Sequence, residues 1–283
     1  MIPAPFDYEV AESVDHAIEL LGTREEAKVL AGGHSLLPLL RLRFTRPSLL
    51  VDVGRLAELS YVRDAGDSIA IGALTRHHDV ATAPLLQEHN PLVSFAAGLI
   101  GDPQVRHRGT IGGSLAHADP ASDLPAVVLA LDGEIDIAGP NGARTVAAGE
   151  FFHGVFETAV GPQELVTEVR VPKLTGDHVW SYLKFRRRAQ DWATVGVAAV
   201  AHRSNGGVAD AAIALVNMGA TPLRARTAEA AWTAGEADPG TQADEATEPP
   251  SDTSGSADYR RHLARVLVRR AVAEAEARGG AVS

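Results

Sequence analysis

The sequence predicts a mixed α+β chain of two or three domains, and three observations carry that prediction. At 283 residues the chain exceeds the usual size of one domain and can bury a large core. Short apolar runs alternate with helix-like segments up to about residue 176, whereas from about His178 long strand-like runs take over and a long helix follows. Two glycine pairs, Ala31-Gly32-Gly33-His34-Ser35 and Thr110-Ile111-Gly112-Gly113-Ser114, sit between apolar segments. Glycine lacks a Cβ, so consecutive amides can turn the same way and approach a ligand closely. Such a concavity suits anions, phosphate oxygens above all. The two pairs together predict two loops closing on one ligand.

Composition excludes several classes. With 45% hydrophobic residues but no run near the roughly 18 apolar residues of a membrane span, the chain reads as soluble, with no membrane span. Met1 to Tyr8 shows no basic region followed by an apolar segment, so no secretory signal is expected and the location reads as cytoplasmic. Cysteine is absent, which removes disulfides, cysteine-ligated iron–sulfur clusters and cysteine-type zinc. No metal site is expected in this chain. A net charge of −10 argues against nucleic acid as partner. Much of that charge is local: Glu236, Asp238, Asp244, Glu245, Glu248, Asp252 and Asp258 occur with no Lys or Arg between them.

Along the chain, Ser13 is placed to cap a helix whose apolar face is Val14, Ala17, Ile18 and Leu21, with Gly22 as its stop. Lys28 to Ala31 reads as a buried strand delivering the first glycine turn, Leu36 to Leu42 as a helix with Pro38 in its first turn, and Leu49 to Val53 as a strand: a small βαβ-like unit. Ser68 to Gly72 reads as a strand, Thr75 as the cap of a short helix through Val80, and Pro91 to Ile100 as an apolar helix. After the second glycine turn, Asp123 is read as capping Leu124 to Leu131, and alternation predicts strands at 134–137 and 164–172. The C-terminal part adds strands at 180–186, 194–201 and 211–216 and helices at 227–232 and 259–278. The Pro/Gly/Ser/Thr/acid-rich segment at about 235–257 has the composition of a mobile loop without chemistry.

Neither standard nucleotide fingerprint is present, neither G-x-x-x-x-G-K-[ST] nor G-x-G-x-x-G opening a helix, and one Gly-Gly pair alone is usually an ordinary turn. The strings Leu30-Ala31-Gly32-Gly33-His34-Ser35-Leu36-Leu37-Pro38 and Arg106-His107-Arg108-Gly109-Thr110-Ile111-Gly112-Gly113-Ser114-Leu115-Ala116-His117-Ala118-Asp119-Pro120 are more specific. They resemble the two FAD-binding motifs of the flavoprotein subunit of molybdenum hydroxylases, the medium subunit of carbon monoxide dehydrogenase-type enzymes and the FAD domain of xanthine dehydrogenase. The similarity continues through Ser122-Asp123-Leu124, Glu164 to Pro172 and Lys184 to Ala193, in order, over nearly the whole chain.

That resemblance implies a fold: a two-lobed α+β FAD-binding domain of the vanillyl-alcohol oxidase (PCMH) type at 1–176, with lobes of about 1–56 and 57–176, and a small C-terminal α+β domain, an antiparallel sheet with helices, at 177–283. It implies non-covalent FAD wrapped at its pyrophosphate and ribityl chain by Val29, Leu30, Ala31, Gly32, Gly33, His34, Ser35 and Leu36 and by Gly109, Thr110, Ile111, Gly112, Gly113 and Ser114. Ile100, Gly101 and Val105 are implied at the adenosine end, Ala116 and His117 on the cofactor side, Ser122 and Asp123 on its polar groups, and Val166 and Lys184 completing the pocket. Lys184 is placed near the flavin, where a cation stabilises the reduced anionic ring, and Trp192 takes the position at which many relatives stack a Tyr on the isoalloxazine. No catalytic acid or base declares itself: His34 and His117 lack a positioned partner, and Arg186 to Arg188 read as a surface or subunit-facing patch.

The implied partners are a small [2Fe-2S] subunit and a large molybdopterin subunit, in a dimer of heterotrimers, with electrons passing from the clusters to this chain's flavin and on to an external acceptor. The absence of Cys fits that division and argues against relatives whose flavin subunit carries its own iron–sulfur cluster. A self-contained flavin oxidoreductase and a non-catalytic nucleotide-binding assembly subunit stay open as alternatives.

Overall fold

The structure, a computed structural model, describes residues 2–279. The chain begins with β1 (Asp7–Val10), α1 (Val14–Gly22), β2 (Ala27–Leu30), α2 (Leu36–Leu42) and β3 (Leu49–Asp52). The strands form a parallel sheet in the order β1-β3-β2. Ser13 Oγ accepts from His16 N at 3.0 Å, so the cap predicted for α1 is made. Ala17 and Leu21 of α1 are buried with Leu49 and Val51. Strand β1 carries no apolar run and is largely exposed, which is why pattern reading starts the unit one strand too late.

A second, antiparallel sheet follows in the order β4-β5-β10-β6-β7, from β4 (Val62–Asp64), β5 (Ser68–Gly72), β6 (Glu134–Gly139), β7 (Gly142–Ala147) and β10 (Leu165–Pro172). Between β5 and β6 run α3 (His77–Thr82), α4 (Pro84–His89), α5 (Pro91–Gly98), α6 (Pro103–Arg106), α7 (Ile111–His117) and α8 (Asp123–Ala130). After β7 come α9 (Ala148–Phe151) and a small hairpin of β8 (Phe152–Gly154) and β9 (Glu157–Thr158). Two predicted caps are not made. Thr75 Oγ1 accepts from Tyr61 N at 3.0 Å and donates to Tyr61 O at 2.9 Å, so it ties β4's approach to β5, and α3 starts after Arg76. Asp123 is the first residue of α8, not its cap, and points into the protein.

The C-terminal part is a meander of β11 (His178–Phe185), β12 (Val195–Ser204), β13 (Gly207–Val216) and β14 (Leu223–Arg224) with α10 (Arg226–Thr233) and α11 (Ala257–Gly279). Val197, Ile213 and Leu215 face α10 and α11, while Tyr182, Ala198 and Val216 join the core that contains α8. Both faces of the sheet are therefore covered, and β12 reads as an unbroken apolar run from Val195 to Ala201. All eight residues of α8 are buried, as expected of a helix apolar on every side. Mixed α+β architecture is what the sequence predicts.

The segment at 235–257 differs from expectation. Asp238 pairs with Arg269, Asp244 with Arg265 at 2.6 Å, and Asp252 with Arg260 at 2.7 Å, all arginines of α11. Ala243 and Arg260 are buried, and Gly240 packs so close that a Cβ there would lie 2.4 Å from Arg265 O. Composition counts the acids but not the arginines spaced four or five apart that receive them. Among the described residues no helix is long and apolar enough to cross a membrane.

Candidate cofactor site

The two glycine segments meet. Gly32 lies against the second segment with no room for a side chain: an added Cβ would stand 2.3 Å from Arg108 O and 2.8 Å from Gly109 Cα. Gly33 has φ of +75°, the left-handed region that glycine enters without penalty. Val29 and Leu30 end β2, Ala31 to Ser35 form the turn and Leu36 opens α2. The N–H groups of Gly32, Gly33, His34, Ser35 and Leu36 have no acceptor among the described residues. His34 folds back, its Nδ1 3.1 Å from Gly32 O.

The second segment is built differently and corrects the reading of it as a turn. Thr110 caps α7, its Oγ1 accepting from Gly113 N at 3.2 Å, and Ile111 to Ser114 are helical. Gly112 N donates to Ala73 O at 2.9 Å and Ser114 N to Thr110 O at 3.0 Å, so the amides expected to face a ligand are engaged within the chain. Gly112 is required by packing: its Cβ would lie 2.5 Å from Ala73 Cβ. What this helix offers outward is its open face, where Gly113 and Ala116 are exposed and Ser114 and His117 half-buried, while Ile111 is in the core. Burial lowers the His117 pKa, and its ring stacks on Phe156 with centroids 4.8 Å apart.

Three residues that sequence reading passes over hold the region together, two of them at the crossing. Arg76 donates to Arg108 O, the carbonyl that Gly32 abuts. His77 N donates to Gly109 O at 3.0 Å, and its buried ring leaves Gly109 no space for a side chain, the built Cβ falling 2.7 Å from Cδ2. Burial and the Arg76 charge pull the His77 pKa from 6.5 down to about 4, so the ring is neutral near pH 7. Asn217, with φ of +62°, donates from its backbone to Pro120 O and from Nδ2 to Ala193 O, both at 2.8 Å. That stitches Trp192, 54% exposed, beside the end of the second segment. The signal for Asn217 was its place just after a strand, since Asn tolerates the left-handed region; Arg76 and His77 gave none.

Ile100, Gly101 and Val105 form a half-buried link in which Gly101, at φ +46°, packs on Val105. Asp123 and Lys184 are both buried and paired at 2.7 Å, and the other Asp123 oxygen accepts from Tyr182 OH. Burial pushes the Asp123 carboxyl above the usual carboxylate range, countered by the Lys184 ammonium and these hydrogen bonds. Lys184 also reaches Leu99 O at 3.4 Å, so β11 is joined to the link after α5. Ser122 is buried at the start of α8, and Val166 belongs to the core cluster. The residues thus fall into an open group (Gly32 to Leu36, Gly113, Ser114, Ala116, His117, Trp192) and an inner group (Ile111, Gly112, Ser122, Asp123, Val166, Lys184). Consecutive free amides on a glycine turn, where the backbone can approach a ligand closely, fit the pyrophosphate of a dinucleotide.

Comparison with known proteins matches that fit. The family model described as FAD binding domain in molybdopterin dehydrogenase covers residues 4–174, and that of the CO dehydrogenase flavoprotein C-terminal domain covers 180–275. The carbon monoxide dehydrogenase medium chain of Hydrogenophaga pseudoflava is 42% identical over 98% of this chain and 99% of its own length. The solved structure of carbon monoxide dehydrogenase from that organism superposes with a TM-score of 0.95 over 98% and 99% of the two chains, at 43% identity. Quinoline 2-oxidoreductase from Pseudomonas putida 86 superposes at 0.93 over 99% of both chains, at 30% identity. The chain belongs to the FAD-binding medium-chain family of molybdopterin dehydrogenases, oxidoreductases of the carbon monoxide dehydrogenase and xanthine dehydrogenase kind.

Proposed function

We propose that this chain is the electron-transfer subunit of a cytoplasmic molybdenum-containing hydroxylase or dehydrogenase. Non-covalently bound FAD supplies the redox chemistry, accepting electrons from [2Fe-2S] clusters of a small partner subunit and yielding them to an external acceptor; substrate is oxidised at molybdopterin in a large subunit. The observation that carries the reading is the row of free amides from Gly32 to Leu36, held by Gly32 against Arg108 and Gly109. In this reading that row binds the pyrophosphate, the open face of α7 takes the adjoining chain of the cofactor, and Trp192 covers the ring. Lys184 acts from within: paired with Asp123, it fixes β11 against the Leu99 to Gly101 link rather than donating to the cofactor as a free cation. The absence of Cys assigns the clusters to another chain.

A flavin spectrum of the purified chain, FAD uptake after stripping, and the metal content of the co-purifying complex form the test. Flavin absorbance with stoichiometric iron and molybdenum in partner chains is expected. Failure of the chain to take up FAD defeats the cofactor reading, and turnover of substrate by the chain alone, free of metal-bearing partners, defeats the subunit reading.

A further inference from the structure

The acid-rich segment at 235–257 ends against the loop that carries Trp192. That loop joins β11 to β12 and is closed at its base by Thr194 N, which donates to Phe185 O at 2.8 Å. Arg187 to Gln190 are exposed and Trp192 is 54% exposed, so burial does not fix the indole. The backbone beside it is fixed instead. Two successive carbonyls are caught from different elements: Ala193 O accepts from Asn217 Nδ2 at 2.8 Å, and Thr194 O accepts from Arg260 Nη1 of α11. Arg260 is fully buried, and its Nη2 donates to Asp252 Oδ1 at 2.7 Å. The same Asp252 oxygen accepts from Ser254 N at 2.7 Å and Gly255 N at 3.2 Å, which closes a turn. From that turn Thr253 O accepts from Arg187 Nη1 at 3.2 Å, at the other end of the loop.

We propose that the turn at Asp252 and the buried Arg260 are a positioning device for Trp192, holding its loop at both ends so that the indole meets the flavin ring in one place. The inference rests on the reading above in which Trp192 covers that ring. Asp252 and Arg260 are positioning residues, acting only through the backbone of Thr194 and the Arg187 tether. A guanidinium buried without a carboxylate is costly, so Asp252 is what allows Arg260 to sit beneath Thr194 O. Displacement by about 1 Å is enough to cost a bound group its alignment, and an exposed side chain on an untied loop has nothing else to prevent it. The acid-rich segment thereby serves the site without touching the cofactor.

The test uses the flavoprotein as it co-purifies with its partners, stripped of FAD and retitrated, with FAD affinity, flavin midpoint potential and Tm recorded. Asp252→Ala removes the acceptor at the centre of the turn, Asp252→Asn keeps an amide oxygen there, and Arg187→Ala releases the other tether. Glu236→Ala, at an exposed position of the same segment, is the control. Trp192→Ala is expected to weaken FAD binding about 5- to 10-fold, the weight of one aromatic contact, and to shift the potential. Asp252→Ala is expected to approach that loss and to shift the potential in the same direction, and Arg187→Ala to lose about 3-fold, with Asp252→Asn and Glu236→Ala near wild type. Because the device acts through Trp192, adding Trp192→Ala to Asp252→Ala or to Arg187→Ala gives FAD affinity no weaker than Trp192→Ala alone. Losses that multiply in the double variants overturn the proposal. So does wild-type FAD affinity in both Asp252→Ala and Arg187→Ala, whatever their Tm, or a loss in Asp252→Asn or Glu236→Ala equal to that of Asp252→Ala. If Asp252→Ala does not assemble, the Arg187→Ala pair decides alone by the same outcomes. Trp192→Ala with wild-type affinity and potential instead fails the reading that the indole covers the ring, a different result from any of these.

Discussion

The two glycine pairs look alike in sequence and serve opposite ends. Gly32 and Gly33 belong to a row of amides without acceptors among the described residues, in a turn that only glycine follows at Gly33 without penalty. Gly112 and Gly113 lie in the first turn of α7, their amides taken by Ala73 O and Thr110 Oγ1, and Gly112 exists because Ala73 leaves no space for a Cβ. One pair leaves its amides open and the other spends them on packing within the chain. Like residue patterns acquire unlike roles when one falls after a strand and the other after a capping threonine.

Four substitutions sharpen or break that contrast. Gly33→Val should weaken FAD binding by about 4 kcal/mol, ~1000-fold, from a left-handed penalty of 1–2 kcal/mol plus the lost alignment of charge-assisted amide bonds. Flavin titration of the stripped chain reads it, and retention near wild-type affinity would remove the turn from the site. The His77 ring has a folded pKa near 4 against 6.5 unfolded. The unfolded chain therefore binds the extra proton, and stability present above pH 6.5 is lost as pH falls toward 4, by about 3 kcal/mol at most. His77→Leu should flatten that acid limb in denaturant titrations at pH 7 and 4.5; an unaltered limb assigns acid sensitivity elsewhere. Gly112→Ala should cost about 2 kcal/mol by overpacking Ala73, seen as a Tm lower by about 4–8 °C, with FAD affinity per folded chain little changed. A Gly112→Ala protein that keeps its Tm and loses flavin would reverse the contrast. Thr110→Val removes the α7 cap and should cost about 1 kcal/mol, measured the same way.

Legibility followed the reach of each signal. Capping by Ser13, the β6 alternation and the apolar runs of β12 and β13 act within a few residues, and each emerged where the pattern put it. The polar and two-residue strands β1 and β14 bury too little to leave a pattern. The motifs were legible as strings in the sequence; how their amides are used was not. Whether Gly112 N meets a ligand or Ala73 O depends on a residue 39 positions away, and no local rule carries that. Asp123 and Lys184 read as cofactor-facing polar groups but find each other across 61 residues, from α8 to β11. The acidic segment failed for the same reason, since its partners lie on a helix that composition treats as a separate piece.

The helix α8 is enclosed by α5, α7 and α9 on one side and the C-terminal meander on the other, with Asp123 at its start joined to β11. The family models divide the chain between 174 and 180, yet α8 belongs to the first part and owes half its shelter to the second. Separating the parts at that boundary would open an otherwise apolar helix to water and strand its buried Asp123 carboxylate without its counter-ion. The two parts are therefore expected to unfold together, as one cooperative unit in calorimetry.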